Sequence, residues 1–213
     1  MGRLAASPAS PRRRLQFWTC TLAFRELLSE EFRPYATLSL HQLDLLEKHF
    51  LLLQHWNRTL NLTRIDDLLE NVRLNYCESL FLGLKLPPGP LRIADVGSGA
   101  GFPGIPIAII RPDLNLTLIE SHQRKAVFLR EAANGIPNLH VFAARAEVCS
   151  ERFDWIVARA VLPARVRTLG LAPNSALLLS RRAAFPDSEL FELPWGRDRI
   201  VDVFHVELKP QHD

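Results

Sequence analysis

A chain of 213 residues with 26 Lys or Arg, 23 Asp or Glu and 47% hydrophobic residues is built to fold, and as a whole is neither disordered, collagen-like nor coiled coil. Its formal charge of +3 comes from the start of the chain, where Arg3, Arg12, Arg13 and Arg14 stand without an acid. The remainder is nearly balanced, which excludes a globally basic protein that coats nucleic acid, although ten Lys or Arg against four acids in residues 121–182 leave room for a local basic face.

Residues 1–21 read as a disordered tail rich in Ser, Pro and Arg. Arg12–Arg14 followed by the apolar Leu15–Phe24 imitates a secretory or twin-arginine leader, but Arg25 and Glu26 end the stretch and no small-residue cleavage site follows. No apolar run reaches the ~18 residues needed to span a bilayer. Cys20, Cys77 and Cys149 are odd in number, with no CxxC and no clustered histidines. They fit neither a disulfide framework nor a zinc site, so the chain is expected in a reducing cytoplasm, with no metal and no membrane contact.

From Leu22 to about residue 86 the spacing is helical, with Leu43, Leu46, Phe50, Leu53 and Trp56 recurring at three or four, and it predicts two or three helices. Pro87, Pro88, Gly89 and Pro90 mark a boundary. From 91 to 213 short apolar runs alternate with amphipathic stretches: strands at Leu91–Val96, Leu114–Glu120, Leu139–Ala143, Phe153–Ala158, Ala176–Leu179 and Arg199–Leu208. Helices are expected at Pro103–Ile110, Gln123–Ala133 and Ala164–Leu169. This is an α/β pattern of βα units on a buried, mainly parallel sheet with helices on both faces.

The first of these strands runs into Asp95-Val96-Gly97-Ser98-Gly99-Ala100-Gly101-Phe102-Pro103-Gly104. Gly99, Gly101 and Gly104 satisfy the GxGxxG dinucleotide fingerprint, and Glu120, at the end of the next strand, suits ribose hydroxyls. A pyrophosphate, however, needs free N–H groups in the first helical turn, and Pro103 and Pro106 remove two of them. Asp95 would repel a pyrophosphate but suits a sulfonium and an ammonium, so S-adenosylmethionine is the better cofactor. Gly97, Gly99 and Gly101 are then expected at positive φ, leaving bare backbone for it.

The runs DVGSGAGFPGIPIAIIRPDL, LIESHQRKAVFLREA, ARAEV and VARAV, with HWNRTLNLTRIDD upstream, resemble the bacterial small-subunit ribosomal RNA methyltransferase G family, also called glucose-inhibited division protein B, over roughly residues 40 to 182. The resemblance implies a Rossmann-like class I S-adenosylmethionine-dependent methyltransferase fold behind a small helical segment. It also implies transfer of a methyl group to nitrogen-7 of a guanosine in 16S ribosomal RNA, naked or in a small-subunit precursor, by a monomer. Carried over by position, Gly97 and Phe102 belong to the cofactor loop, Phe102 as an apolar wall. Ala146 and Glu147 lie at the adenine edge. Arg159, ending the fourth strand, needs an anionic or carbonyl partner: the methionine carboxylate, an RNA phosphate or guanine O6. Arg124 and Lys125 match basic positions suited to RNA phosphates, and Asn61-Leu62-Thr63 is expected near the cleft mouth.

The chain departs from the family where an arginine-histidine pair precedes an acid-serine: Arg73-Leu74-Asn75 precedes Glu78-Ser79. Ser180-Arg181 replaces a lysine-glycine after the fifth strand, and the carboxyl-terminal part is abbreviated. These departures bear on substrate recognition, leaving two other readings: a methyltransferase for another RNA or a small molecule, and an inactive cofactor-binding protein associated with RNA. Nitrogen-7 carries a lone pair and no proton, so no general base is required, in keeping with seven scattered histidines and no catalytic dyad.

Overall fold

A computed structural model of the chain describes the backbone of residues 11–205 and the side chains of residues 22–205. Helix α1 (Pro11–Phe32) starts inside the segment expected to be a disordered tail; residues 1–10 lie outside the described ones. Helix α2 (Leu40–Leu60) opens on a capping box in which Ser39 and Gln42 satisfy each other's backbone N–H groups, and closes on Asn61 in the left-handed conformation. Helix α3 (Leu68–Asn71), capped by Asp67, runs through a π-helical stretch (Val72–Cys77) into α4 (Glu78–Lys85).

The alternating region follows the expected order: β1 (Arg92–Val96), α5 (Gly104–Ile110), β2 (Asn115–Ile119), α6 (Gln123–Ala132), β3 (Leu139–Phe142), β4 (Trp155–Arg159), α7 (Pro163–Leu169) and β5 (Asn174–Ser180). Two strands close it, β6 (Glu189–Glu192), which the sequence pattern missed, and β7 (Arg199–His205). They form one seven-stranded sheet in the order β3-β2-β1-β4-β5-β7-β6. Strands β1 to β5 are parallel, whereas β7 runs antiparallel to both β5 and β6. The order reverses between β1 and β4, and the carboxyl ends of strands flanking such a switch point are where ligands of open α/β sheets bind.

Alternation of side chains sends Ile93, Leu116, Leu118, Trp155, Val157, Ala176, Leu178 and Val201 to one face. Phe24 and Leu28 of α1, Leu46, Phe50 and Leu53 of α2, and Leu80 and Leu82 of α4 join the same core. The helical segment and the sheet therefore share one apolar interior. Polar ties reinforce it: Arg111 donates to the carbonyls of Gly83, Leu86 and Pro87, so the proline-rich boundary is a fixed corner. On the other face β5 reaches β6 through a single 3-10 turn (Arg181–Ala183) and no α-helix; Ala183, Ala184 and Phe185 cover the apolar residues there. Buried Asp202 of β7 ties that link down by accepting the Phe185 N–H at 2.8 Å and the Ser188 hydroxyl at 3.1 Å.

Candidate functional site

The glycine turn after β1 takes the expected positive φ angles, +73° at Gly97, +57° at Gly99 and +85° at Gly101. At Gly104 the need for glycine is steric: a Cβ would lie 2.3 Å from Leu118 and 2.6 Å from the Asp95 carboxylate. At Gly99 a Cβ would meet nothing closer than the Gly97 carbonyl at 3.7 Å, so its bare backbone faces open space.

The N–H groups of this turn, Ala100 apart, are already committed. Gly97 and Ser98 donate to the Ile119 carbonyl, Gly101 and Phe102 to Ser98, and Ile105 to Gly101. Gly99 donates to Glu120 Oε2 at 3.0 Å and Gly104 to Asp95 Oδ2 at 3.0 Å. Since Pro103 and Pro106 have no N–H, the first turn of α5 has none left for a phosphate, and the choice against a dinucleotide gains a reason the sequence could not supply. Glu120 lines the cavity where a pyrophosphate would have to lie, whereas Asp95 is buried behind the turn and lines neither cavity.

Asp95 is fully buried, and its Oδ1 has no hydrogen-bond partner among the described residues. Burial pushes its carboxyl up to about 7 against the pull of Gly104 and nearby Arg159. A cation arriving from the cleft would relieve that strain on the charged form. Glu120 holds the turn by accepting from Gly99 and from the His122 N–H at 2.7 Å. Gly97, Glu120, Ala146 and Glu147 line one cavity of about 370 Å³ at the ends of β1, β2 and β3. There the Glu147 carboxylate pairs with Arg165 at 2.9 Å, and its own backbone N–H together with Arg165 lowers its pKa. Arg145 and Arg165 line the cavity as well, Arg165 being paired with Glu147; with Glu120 and Glu147 on its wall and the N–H groups of the α5 start committed, the cavity fits S-adenosylmethionine.

A second cleft of about 530 Å³ opens on the other side of Val161, a residue that lines both. Its walls are Leu62–Ile65 on one side and Ala160–Pro163 on the other, with Asn75, Arg159 and Arg199 between. Leu62 and Thr63 thus lie at the cleft as expected. Arg159 finds carbonyl partners within the protein: Nη1 donates to Leu74 O at 3.1 Å and to Asn75 Oδ1. The guanidinium lies 5.0 Å from the centre of the Phe102 ring. Burial lowers the pKa of Arg159 to about 10, so it is still a cation at neutral pH.

Phe102 is therefore placed differently from the expected cofactor wall. It is 3% exposed, edge-on to His49 and Tyr76, and backs Arg159. Arg124 is exposed and Lys125 half-buried at the start of α6, and neither lines either cavity.

Four residues outside the expected site set complete the site; two of them, Asn75 and Glu78, the sequence marked only at a departure from the family. Asn75, standing where a histidine was expected, links Arg159 to Asn71 at 3.1 Å, and Asn71 reaches the Ile65 carbonyl. Glu78, fully buried, forms a fork with Arg199, which stands opposite Ser180 in the β5–β7 register. Burial raises the Glu78 pKa while Arg199 opposes it. His49 is buried beneath the glycine turn with Nε2 3.0 Å from Ala100 O and Nδ1 3.0 Å from the Tyr76 hydroxyl. The carbonyl can only accept, so Nε2 carries the proton and Nδ1 accepts from Tyr76. Burial lowers the His49 pKa to about 4, keeping the ring neutral. A buried histidine on the apolar stripe of α2 was the one available signal; the sequence has nothing that pairs position 78 with position 199.

Comparison with known proteins agrees with this geometry. A Ribosomal RNA small subunit methyltransferase G of Stenotrophomonas maltophilia is 41% identical over 156 residues, covering 70% of this chain and 73% of its own. That of Halorhodospira halophila is 40% identical over 171 residues, covering 77% and 80%. Among solved structures, a SAM dependent methyltransferase from Aquifex aeolicus superposes with a TM-score of 0.50 at 13% identity, covering 67% of this chain and 95% of that one, a likeness of fold. The fold is that of the class I S-adenosylmethionine-dependent methyltransferases. The family profile described as rRNA small subunit methyltransferase G matches residues 42–178, from α2 through β5, and the chain belongs to that family.

Proposed function

We propose that the protein transfers a methyl group from S-adenosylmethionine to nitrogen-7 of a guanosine in 16S ribosomal RNA, as a monomer in the cytoplasm. The observation that carries this reading is the pair of clefts that meet at Val161. On one side lie carboxylates and a glycine turn whose N–H groups, Ala100 apart, are already committed; on the other a half-buried arginine lines the cleft among apolar and amide groups. No described helix is long and apolar enough to cross a membrane.

S-adenosylmethionine supplies, when bound, an activated methyl group on a cationic sulfur. Asp95, with one oxygen unpartnered, favours positive charge, and Glu120 has lone pairs left for ribose hydroxyls. Ala146 and Glu147 fit the adenine edge. Arg159 is held at Nη1 alone, which leaves Nε and Nη2 to grip guanine O6 beside the attacking nitrogen. Phe102 supports Arg159 from behind instead of walling the cofactor. The attacking nitrogen carries no proton, so these residues position and no side chain has to act as a base.

The test is 7-methylguanosine in 16S RNA, expected with protein and cofactor and absent when either is omitted. Transfer to a different base or only to small molecules would overturn the substrate, and cofactor binding with no transfer to any acceptor would overturn the activity.

A further inference from the structure

The substrate-side cleft does not end at its rim. Thr63 and Arg64 line it and also line a neighbouring groove of about 650 Å³ formed by the end of α2 and the 61–67 loop. The groove is polar, with the amides of Gln54, Asn57 and Asn61 and the guanidinium groups of Arg58 and Arg64; Asp66 is its one acid.

Both arginines are exposed, and among the described residues neither has an acid partner. Two other arginines of the helical layer are paired: Arg25 with Asp44 and Glu47, and Arg73 with Glu31. Arg58 gains a little from the carboxyl-terminal dipole of α2. Arg64, in a loop, has no such reason to be there.

The loop that presents Arg64 is set in advance. Asn57 Oδ1 accepts the Thr63 N–H at 2.9 Å, Thr63 Oγ1 accepts the Ile65 N–H at 3.2 Å, and Asn61 turns the chain at φ +46°. From Ile65 the amides of Asn71 and Asn75 lead to Arg159. The groove and the guanidinium at the cleft floor are thus held in one frame.

We infer that this groove takes the sugar-phosphate backbone of the RNA strand next to the target guanosine, with Arg58 and Arg64 on phosphates and the neutral amides on sugar hydroxyls. The inference rests on the reading of RNA as substrate. It moves the RNA contact to the mouth of the substrate cleft, away from Arg124 and Lys125, which border neither cavity. A single strand fits the arrangement, since phosphates repeat along it while the base at one position enters the cleft.

The test is a salt titration of binding to a 16S RNA fragment by wild type, Arg58→Ala/Arg64→Ala and Arg124→Ala/Lys125→Ala. With two phosphates no longer neutralised by Arg58 and Arg64, the slope of log K against log salt should flatten by about 1.4 and affinity at physiological salt should fall about ten-fold. Cofactor affinity should stay unchanged, and the Arg124/Lys125 variant should keep the wild-type slope. An unchanged slope in the Arg58/Arg64 variant, or flattening only in the Arg124/Lys125 variant, overturns the inference. So does tight binding of an acidic peptide that competes with the RNA but leaves the slope alone. Failure of the wild type to form 7-methylguanosine would count against the substrate reading alone, because the slopes are measured without methyl transfer.

Discussion

On the cofactor side of Val161 the turn that shapes the cleft is made of backbone. Glycines at positive φ, two prolines and two strand-end acids come from a single stretch plus Glu120, and each acts through its own local conformation. On the substrate side the cleft is made of long side chains. Arg159 from β4 rests on Asn75 from the π-helical stretch and on Phe102, and Arg199 from β7 forks with Glu78 from α4. A local backbone device tolerates change around it but not at it. A site of distant side chains is sensitive to every partner and can be rebuilt with different ones, which is how asparagine comes to stand in place of a histidine.

The sharpest way to break the contrast is Gly99→Val. A branched side chain would enter the open space beside the turn and strain a backbone at φ +57°, so cofactor affinity should fall at least a hundred-fold by calorimetry, with circular dichroism unchanged. An intact fold with wild-type affinity would show that the bare backbone is not a binding surface. On the other side, Arg159→Lys keeps the charge but cannot span Leu74 and Asn75 while lying on Phe102. Single-turnover transfer should slow by roughly ten- to a hundred-fold through misplacement, with rates of variant and wild type nearly flat from about pH 6.5 to 8.5. A steep acid limb in the wild type would indicate a general base and undo the positioning account.

His49→Ala touches both sides. It removes the donor to Ala100 and leaves the Tyr76 hydroxyl unpaired, so cofactor affinity should drop by about ten-fold and stability by roughly 2 kcal/mol. The wild type carries an acid sensitivity here. The folded pKa of about 4 lies below the ordinary 6.5, so stability from neutral His49 is present above pH 6.5 and is lost as pH falls toward 4. Urea midpoints across that window should show a slope that His49→Gln reduces.

The smallest effect concerns Asp95. Its folded pKa of about 7 lies above the ordinary 3.8, so without ligand the folded state loses stability as pH rises from 4 to 7, the opposite sign to His49. A cationic cofactor prefers the ionised form, so its affinity should rise a few-fold between pH 6 and 7 and then level off. Asp95→Asn should flatten that rise, and a wild-type affinity independent of pH would exclude the carboxylate from the site.

The contrast also explains what could be read from the residues. Glycine, proline and strand-end acids announce their geometry, so the turn at 97–104, Glu120 and the βα order were legible. The strand at β7 was legible but not its antiparallel direction, and the short β6 was not legible at all, because it has only four residues and one partner strand, too little for a pattern to register. Phe102 was misplaced for a related reason: an aromatic next to a cofactor loop looks the same in sequence whether it faces the ligand or the core. Glu78 with Arg199 is invisible at any local scale, being separated by 121 residues.

The hydrogen bond from His49 to Ala100 has a thermodynamic consequence. It joins α2, which carries none of the residues expected to hold the cofactor, to the turn that does, inside one apolar core. A ligand at a hundred times its dissociation constant stabilises the folded form by about 2.7 kcal/mol, and a helix that opens only when the turn opens shares that protection in full. Backbone amides around His49 should then exchange with deuterium about a hundred-fold more slowly when cofactor is present, so that saturation of the glycine turn can be followed from a helix on the far side of it.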